Sequence, residues 1–134
     1  MCKNPDCIAK AQVWMDGTKQ LEFARSIHLA SLKGYRFRLN AHSQKRQLER
    51  AKSRSELSAI IKNGEIVHQR IVGKYSRSVI LGYLATQGGP RPLHAVLEYR
   101  HDEQFVEVIT LYDPRTKKMW SPDFKTKICF CEQE

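Results

Sequence analysis

The sequence predicts an α+β domain in which two to three helices precede a four-stranded antiparallel meander, with the helices packed on one face of the sheet. Three observations predict it. Apolar residues recur at helical spacing only before Gly64, and from Glu65 onward they alternate with a period of two. The later segments are separated by intervals too short to hold crossover helices, so the strands return antiparallel.

The first helix is expected in TKQLEFARSIHLASLK, where Leu21, Ala24, Ile27, His28, Ala30 and Leu32 recur at mixed three and four spacings. Asp16 serves as its cap and Gly34 lies just past its end. A short alternating piece, YRFRL, follows. Asn40 then caps a second helix through AHSQKRQLERAK, and Ser53 or Ser55 opens a third, ELSAIIKN, closed by Gly64. Beyond that glycine, EIVHQRIV, RSVILGYLAT, PLHAVLEYR and QFVEVITLYD are rich in Val, Ile, Leu and Tyr and have the length of strands. Gly73, Gly88-Gly89-Pro90 and Asp113-Pro114 punctuate them. Alternation turns Leu93, Ala95, Leu97 and Tyr99 toward the core. His94, Val96, Glu98 and Arg100 then face outward, joined on that surface by His68 and Arg70.

A chain of 134 residues fits one compact domain. Hydrophobic residues at 41% are ordinary for a soluble protein, and no apolar run approaches the roughly 18 residues that span a bilayer, so no membrane partner is expected. The opening MCKNPDCIAKAQ lacks the apolar stretch of a secretory signal, which sets the expectation of a cytoplasmic protein. The formal net charge is +9. Seven basic residues (Arg36, Arg38, Lys45, Arg46, Arg50, Lys52, Arg54) stand against Glu49 alone between Gly34 and Arg54. A block of that kind favours polyanions, because each phosphate contacted releases condensed counterions. Nucleic acid therefore leads the candidate partners.

His42, Arg46 and Arg50 are four residues apart, so on a helix they form one slanting row that suits a phosphate clamp. The planar fork of arginine binds phosphate oxygens in pairs, and a neutral imidazole is a competent base. A solvated basic face fits the same spacing. No Gly-rich phosphate loop, Gly-x-Ser-x-Gly elbow or dinucleotide fingerprint is present. Cys2 and Cys7 near one end, with Cys129 and Cys131 near the other, could hold a structural zinc ion if the termini meet. Their spacing is poor for a zinc ribbon, and four free thiols or a disulfide also fit.

The stretches LNAHSQKRQLERAKSRSELSAIIKNGEIV, RPLHAVLEY and VITLYDPRTKKMWSPDF resemble the bacterial domain-of-unknown-function family 4258, over roughly residues 36 to 127. The matching positions are His42, Arg46 and Arg50, then Gly64, Glu65 and Ile66, then Leu93 and His94, and finally Thr110, Tyr112 and Trp120. The chain departs from the family in Ala51-Lys52, where Gly-Ile is usual, and in its first 35 residues. The resemblance divides the chain into an extension with one helix at 1–35 and a toxin-like α+β domain at 36–134. That family looks like a relative of small ribonuclease toxins of the RelE, BrnT and MqsR kind, encoded beside an antitoxin. The resemblance implies metal-independent cleavage of RNA with no required cofactor. His42 and His94 would share acid and base duties, while Arg46 and Arg50 hold phosphate. Arg70 and Arg100, on the outward sheet face that alternation gives, are candidates for further RNA contacts. Tyr112 would assist or stack on a base. Trp120 and Phe124 read as core or edge-covering residues, and His28, His68 and His101 as incidental. The competing reading is a non-catalytic module that binds nucleic acid or protein.

Overall fold

The structure, a computed structural model, describes residues 5–6, 36–42, 45, 54–116 and 119–129. Strand β1 (Arg36–Leu39) is followed in chain order by helix α1 (Arg54–Asn63) and strands β2 (Glu65–Val72), β3 (Tyr75–Thr86), β4 (Gly89–Arg100) and β5 (Phe105–Tyr112). A 3₁₀ turn at Pro114–Thr116 follows. The strands form one sheet in the order β1-β5-β4-β3-β2, in which β1 lies parallel to β5 and the other pairs are antiparallel.

This corrects the expected fold. The four period-two segments do become consecutive antiparallel strands, but the sheet has five strands and is mixed, because YRFRL is itself a strand. One full helix, α1, is present among the described residues. Ala41, His42 and Lys45 are helical, and the remainder of the second expected helix and all of the first lie outside the described residues.

Helix α1 buries Leu57, Ile60 and Ile61, a three-and-four spaced stripe, against the sheet. Glu56 in its first turn and Lys62 in its last complement the helix dipole. The close seat of α1 on the sheet requires two glycines. A Cβ at Gly64 would lie 2.6 Å from the Ile60 carbonyl oxygen and 2.8 Å from that of Leu81, and one at Gly82 would overlap the Ile60 side chain. Gly64 also ends the helix, its amide donating to the Ile60 carbonyl at 2.8 Å.

Both faces of the sheet are covered where the strands are longest. On the helix side, Ile80, Leu84, Leu93, Ala95, Leu97, Tyr99, Val106, Val108 and Leu111 form the core with the α1 stripe. On the opposite side, Val67, Val79, Leu81, Val96 and Tyr112 pack against Met119 and Trp120, with Phe124 and Cys129 at the margin. The segment 119–129 folds back on itself there through a Trp120–Lys127 bridge and a bond from the Ile128 amide to the Met119 carbonyl at 2.8 Å. The expectation that His94, Val96 and Glu98 face solvent is thereby corrected, since all three are buried beneath or beside that strap. His68 is buried on the same side.

A bulge in β5 decides which residues reach this second face. Leu97 pairs with Val108 but Val96 pairs with Thr110, leaving Ile109 as an extra residue. One inserted residue reverses the alternation. Val106 and Val108 therefore enter the helix-side core, whereas Thr110 and Tyr112, of the same parity, turn to the strap side.

Candidate functional site

Asn40 separates β1 from the helical residues at Ala41 and His42. This short turn places the exposed His42 imidazole over the strap side of the sheet, where its Nε2 lies 2.7 Å from the Thr110 hydroxyl. Tyr112 stands two residues farther along β5 on the same face, roughly 7 Å away at the usual strand rise. Tyr112 pairs directly with His94 on β4. The fold thus assembles His42, Thr110, Tyr112 and His94 on one side of the sheet. Arg46 and Arg50, the rest of the expected clamp, lie outside the described residues.

His94 is completely buried, and its surroundings fix both its tautomer and its charge. Nε2 sits 3.0 Å from the Phe124 carbonyl oxygen, which can only accept, so Nε2 carries the proton. Nδ1 must then accept, and it does so from the Tyr112 hydroxyl at 3.2 Å. That hydroxyl in turn accepts the Trp120 indole N–H at 3.1 Å. The Tyr112 and Trp120 rings meet the imidazole edge to face at centroid distances of 5.3 and 4.4 Å. Burial lowers the His94 pKa from 6.5 to about 4, against the opposing pull of the Phe124 carbonyl and the Asp113 charge. A neutral imidazole with both nitrogens engaged, closed off from solvent, ties the strap to the sheet. The Tyr112 hydroxyl belongs to the same relay.

This relay sets a pH dependence. Between pH 6.5 and about 4, the unfolded chain protonates this histidine and the folded chain does not. The stabilisation is complete above pH 6.5 and is lost as pH falls toward 4, a change of up to about 3 kcal/mol. Urea midpoints measured from pH 7 to pH 4.5 should decline accordingly, and a His94→Gln variant should decline less steeply over the same window.

Beside the relay, Asp113 anchors the start of the 3₁₀ turn. Burial raises its pKa. Arg115 more than offsets this with its backbone amide at 2.9 Å and its guanidinium at 2.7–3.1 Å, and Arg91 adds a contact at 3.3 Å, holding the carboxyl down at about 2. In sequence, Asp113-Pro114 carries only the signal of a turn. Thr110 entered only as part of a family motif, and no local feature marks it as the partner of His42.

The other end of the same face is ionic. Glu98 accepts from Arg77 at 2.6 Å and Arg100 at 2.9 Å, and Glu107 accepts from Arg100 at 3.3 Å and Arg38 at 3.0 Å. Arg100, expected to contact RNA, is therefore matched by two carboxylates of the sheet itself. Arg70 lies on β2, but its side chain is outside the described residues. Cys2, Cys7 and Cys131 are also outside them. Cys129 is a free, half-buried thiol packed at the edge of the strap cluster. Among the described residues there is no group of three or more His, Cys, Asp or Glu side chains placed to hold a metal ion, and no helix long and apolar enough to cross a membrane. Scans against protein-family models, curated proteins and solved structures each return no match.

Proposed function

We propose that this is a small RNA-binding protein that engages its ligand on the strap side of the sheet, where His42 of the basic segment 36–54 lies. The observation that carries this reading is the placement of the exposed His42 imidazole against Thr110, which brings the start of that segment onto the sheet surface. The net charge of +9 supports a polyanionic ligand. The resemblance to toxin-type domains favours RNA over DNA, a cytoplasmic setting, and a cognate antitoxin whose acidic segment covers the basic face.

Two properties separate this reading from a merely sticky basic protein. Binding of a single-stranded RNA through about three phosphates should weaken roughly twentyfold between 50 and 200 mM salt. Charge-removing changes at Arg46 and Arg50 should flatten that dependence. Weak binding with no salt dependence would overturn the proposal.

A second reading, metal-independent cleavage, is favoured by one observation: His42 is exposed and its ring is anchored by a hydroxyl. In this reading His42 alone moves protons, and His94 and Tyr112 hold the sheet surface in place. RNA incubated in EDTA with wild type, His42→Ala and Arg46→Ala protein distinguishes the two. A nuclease should lose roughly 100-fold or more of its rate with His42→Ala. A binding protein should leave the RNA intact in every case.

A further inference from the structure

We propose that the cleft between β1 and the β4–β5 turn is a nucleobase pocket for single-stranded RNA, in which an unstacked base lies on the outer face of the Arg38 guanidinium. The proposal rests on the RNA-binding reading above and names the part of the RNA that this region takes.

The cleft has a volume of about 610 Å³, within the range of small-ligand sites, and its described lining is Arg36, Phe37, Arg38, Glu103, Gln104 and Phe105. Arg38 lies over the Phe105 ring, 4.2 Å from its centroid, while its Nη2 donates to Glu107 at 3.0 Å. One face of the guanidinium is therefore covered by an aromatic ring and one edge is fixed by a carboxylate. The side chain is nevertheless 58% exposed. A flat cation held in one orientation with an open face is a ready surface for stacking a base.

The stack continues inward. Arg100 lies 5.7 Å from the Phe105 centroid and 4.9 Å from that of Tyr75, and Lys74 lies 5.1 Å from the Tyr75 ring. Cations and aromatic rings thus alternate across the end of the sheet, from β1 to the β2–β3 turn. Sheet carboxylates match the arginines of this ladder: Glu107 holds Arg38 and Arg100, and Glu98 also holds Arg100. Glu103 adds a carboxylate to the cleft itself. Arg36 is the cleft cation outside this ladder and suits an adjoining phosphate, whereas the matched plane of Arg38 favours an uncharged flat group whose amino edge a carboxylate or amide can read.

The cleft also carries backbone strain. Gln104 adopts a left-handed φ of +54° in the β4–β5 turn, a conformation unfavourable for a residue with a Cβ. Its carbonyl is held by the Arg36 amide at 3.3 Å. Non-glycine strain of this kind clusters at ligand sites, and here it accompanies a side-chain amide suited to reading a base edge.

The test uses the full chain and a fluorescein-labelled 12-nucleotide RNA of mixed sequence, free and annealed to its complement, followed by anisotropy at several salt concentrations. Wild type should bind the single strand more tightly than the duplex. Arg38→Lys keeps the charge but loses the plane, and Phe105→Leu keeps an apolar residue but loses the ring. Each should weaken single-strand binding roughly tenfold without changing the salt dependence or the affinity for duplex. Single-strand binding by Arg38→Lys at the wild-type level would overturn the pocket, and since Arg38 is mostly exposed this variant decides the matter even if Phe105→Leu misfolds. Wild-type preference for duplex would also overturn the pocket while leaving the RNA-binding reading intact. Failure of wild type to bind either RNA would remove both.

Discussion

Replacing His94 by alanine is expected to lower the stability of the domain by roughly 3–5 kcal/mol, more than a change at any exposed position. Two physical losses combine. The imidazole is fully buried, so its removal leaves a cavity among the Tyr112 and Trp120 rings, at a cost comparable to other large core truncations. It also deprives the half-buried Phe124 carbonyl of its imidazole donor and the buried Tyr112 hydroxyl of one acceptor, although that hydroxyl keeps the Trp120 indole N–H. Urea denaturation followed by tryptophan fluorescence reads the change directly, since Trp120 belongs to the relay. A Tyr112→Phe variant, which removes one hydroxyl and little volume, should cost only about 1–2 kcal/mol. If His94→Ala were as stable as wild type, the relay would not be what fastens the strap.

The second large effect is expected at Glu98. Its carboxylate is 4% exposed and receives both Arg77 and Arg100. Alanine there leaves two guanidinium groups facing a site with no counter-charge. Loss of one partner of a fully buried pair typically costs about 3–5 kcal/mol. The two arginines retain partial access to water, and Arg100 keeps its contact with Glu107, so about 2–3 kcal/mol is the expected loss. Thermal unfolding of Glu98→Ala and of the double variant Glu98→Ala/Arg77→Ala tests the account. The double variant should be less damaged than the sum of its parts, and simple additivity would count against a coupled ionic network.

Period-two patterning located β2 to β5 because β-branched and aromatic residues alternate there between clear turn residues. It did not locate the pairing of β1. Four residues that lie parallel to a strand at the far end of the chain carry no local signal, and their alternation is too short to separate from a loop. The β5 bulge leaves only a break in the alternation, which does not by itself say which residue is extra. In VEVITLY two apolar residues, Val108 and Ile109, stand side by side, and the extra residue at Ile109 reverses the faces and brings Thr110 to His42. His94 was misplaced for a related reason. Strand alternation correctly opposed it to Leu93 and Ala95, but a residue opposite one core is exposed only if nothing covers the second face. The covering residues, Trp120 and Phe124, were legible as such, and their pairing with His94 follows from long-range contact that no spacing rule encodes.

The parallel edge strand has a consequence for biogenesis. Arg38 is joined to Glu107 across 69 intervening steps of the chain. At common rates of translation, β1 therefore leaves the ribosome roughly 4–14 s before its partner strand has been made. The antiparallel hairpins of β2 to β5 close shorter loops and can form earlier, so docking of β1 belongs to the end of folding. A nascent chain would display its cationic β1 unanchored, and the surface shared by β1 and β5 would assemble only once both strands had been made.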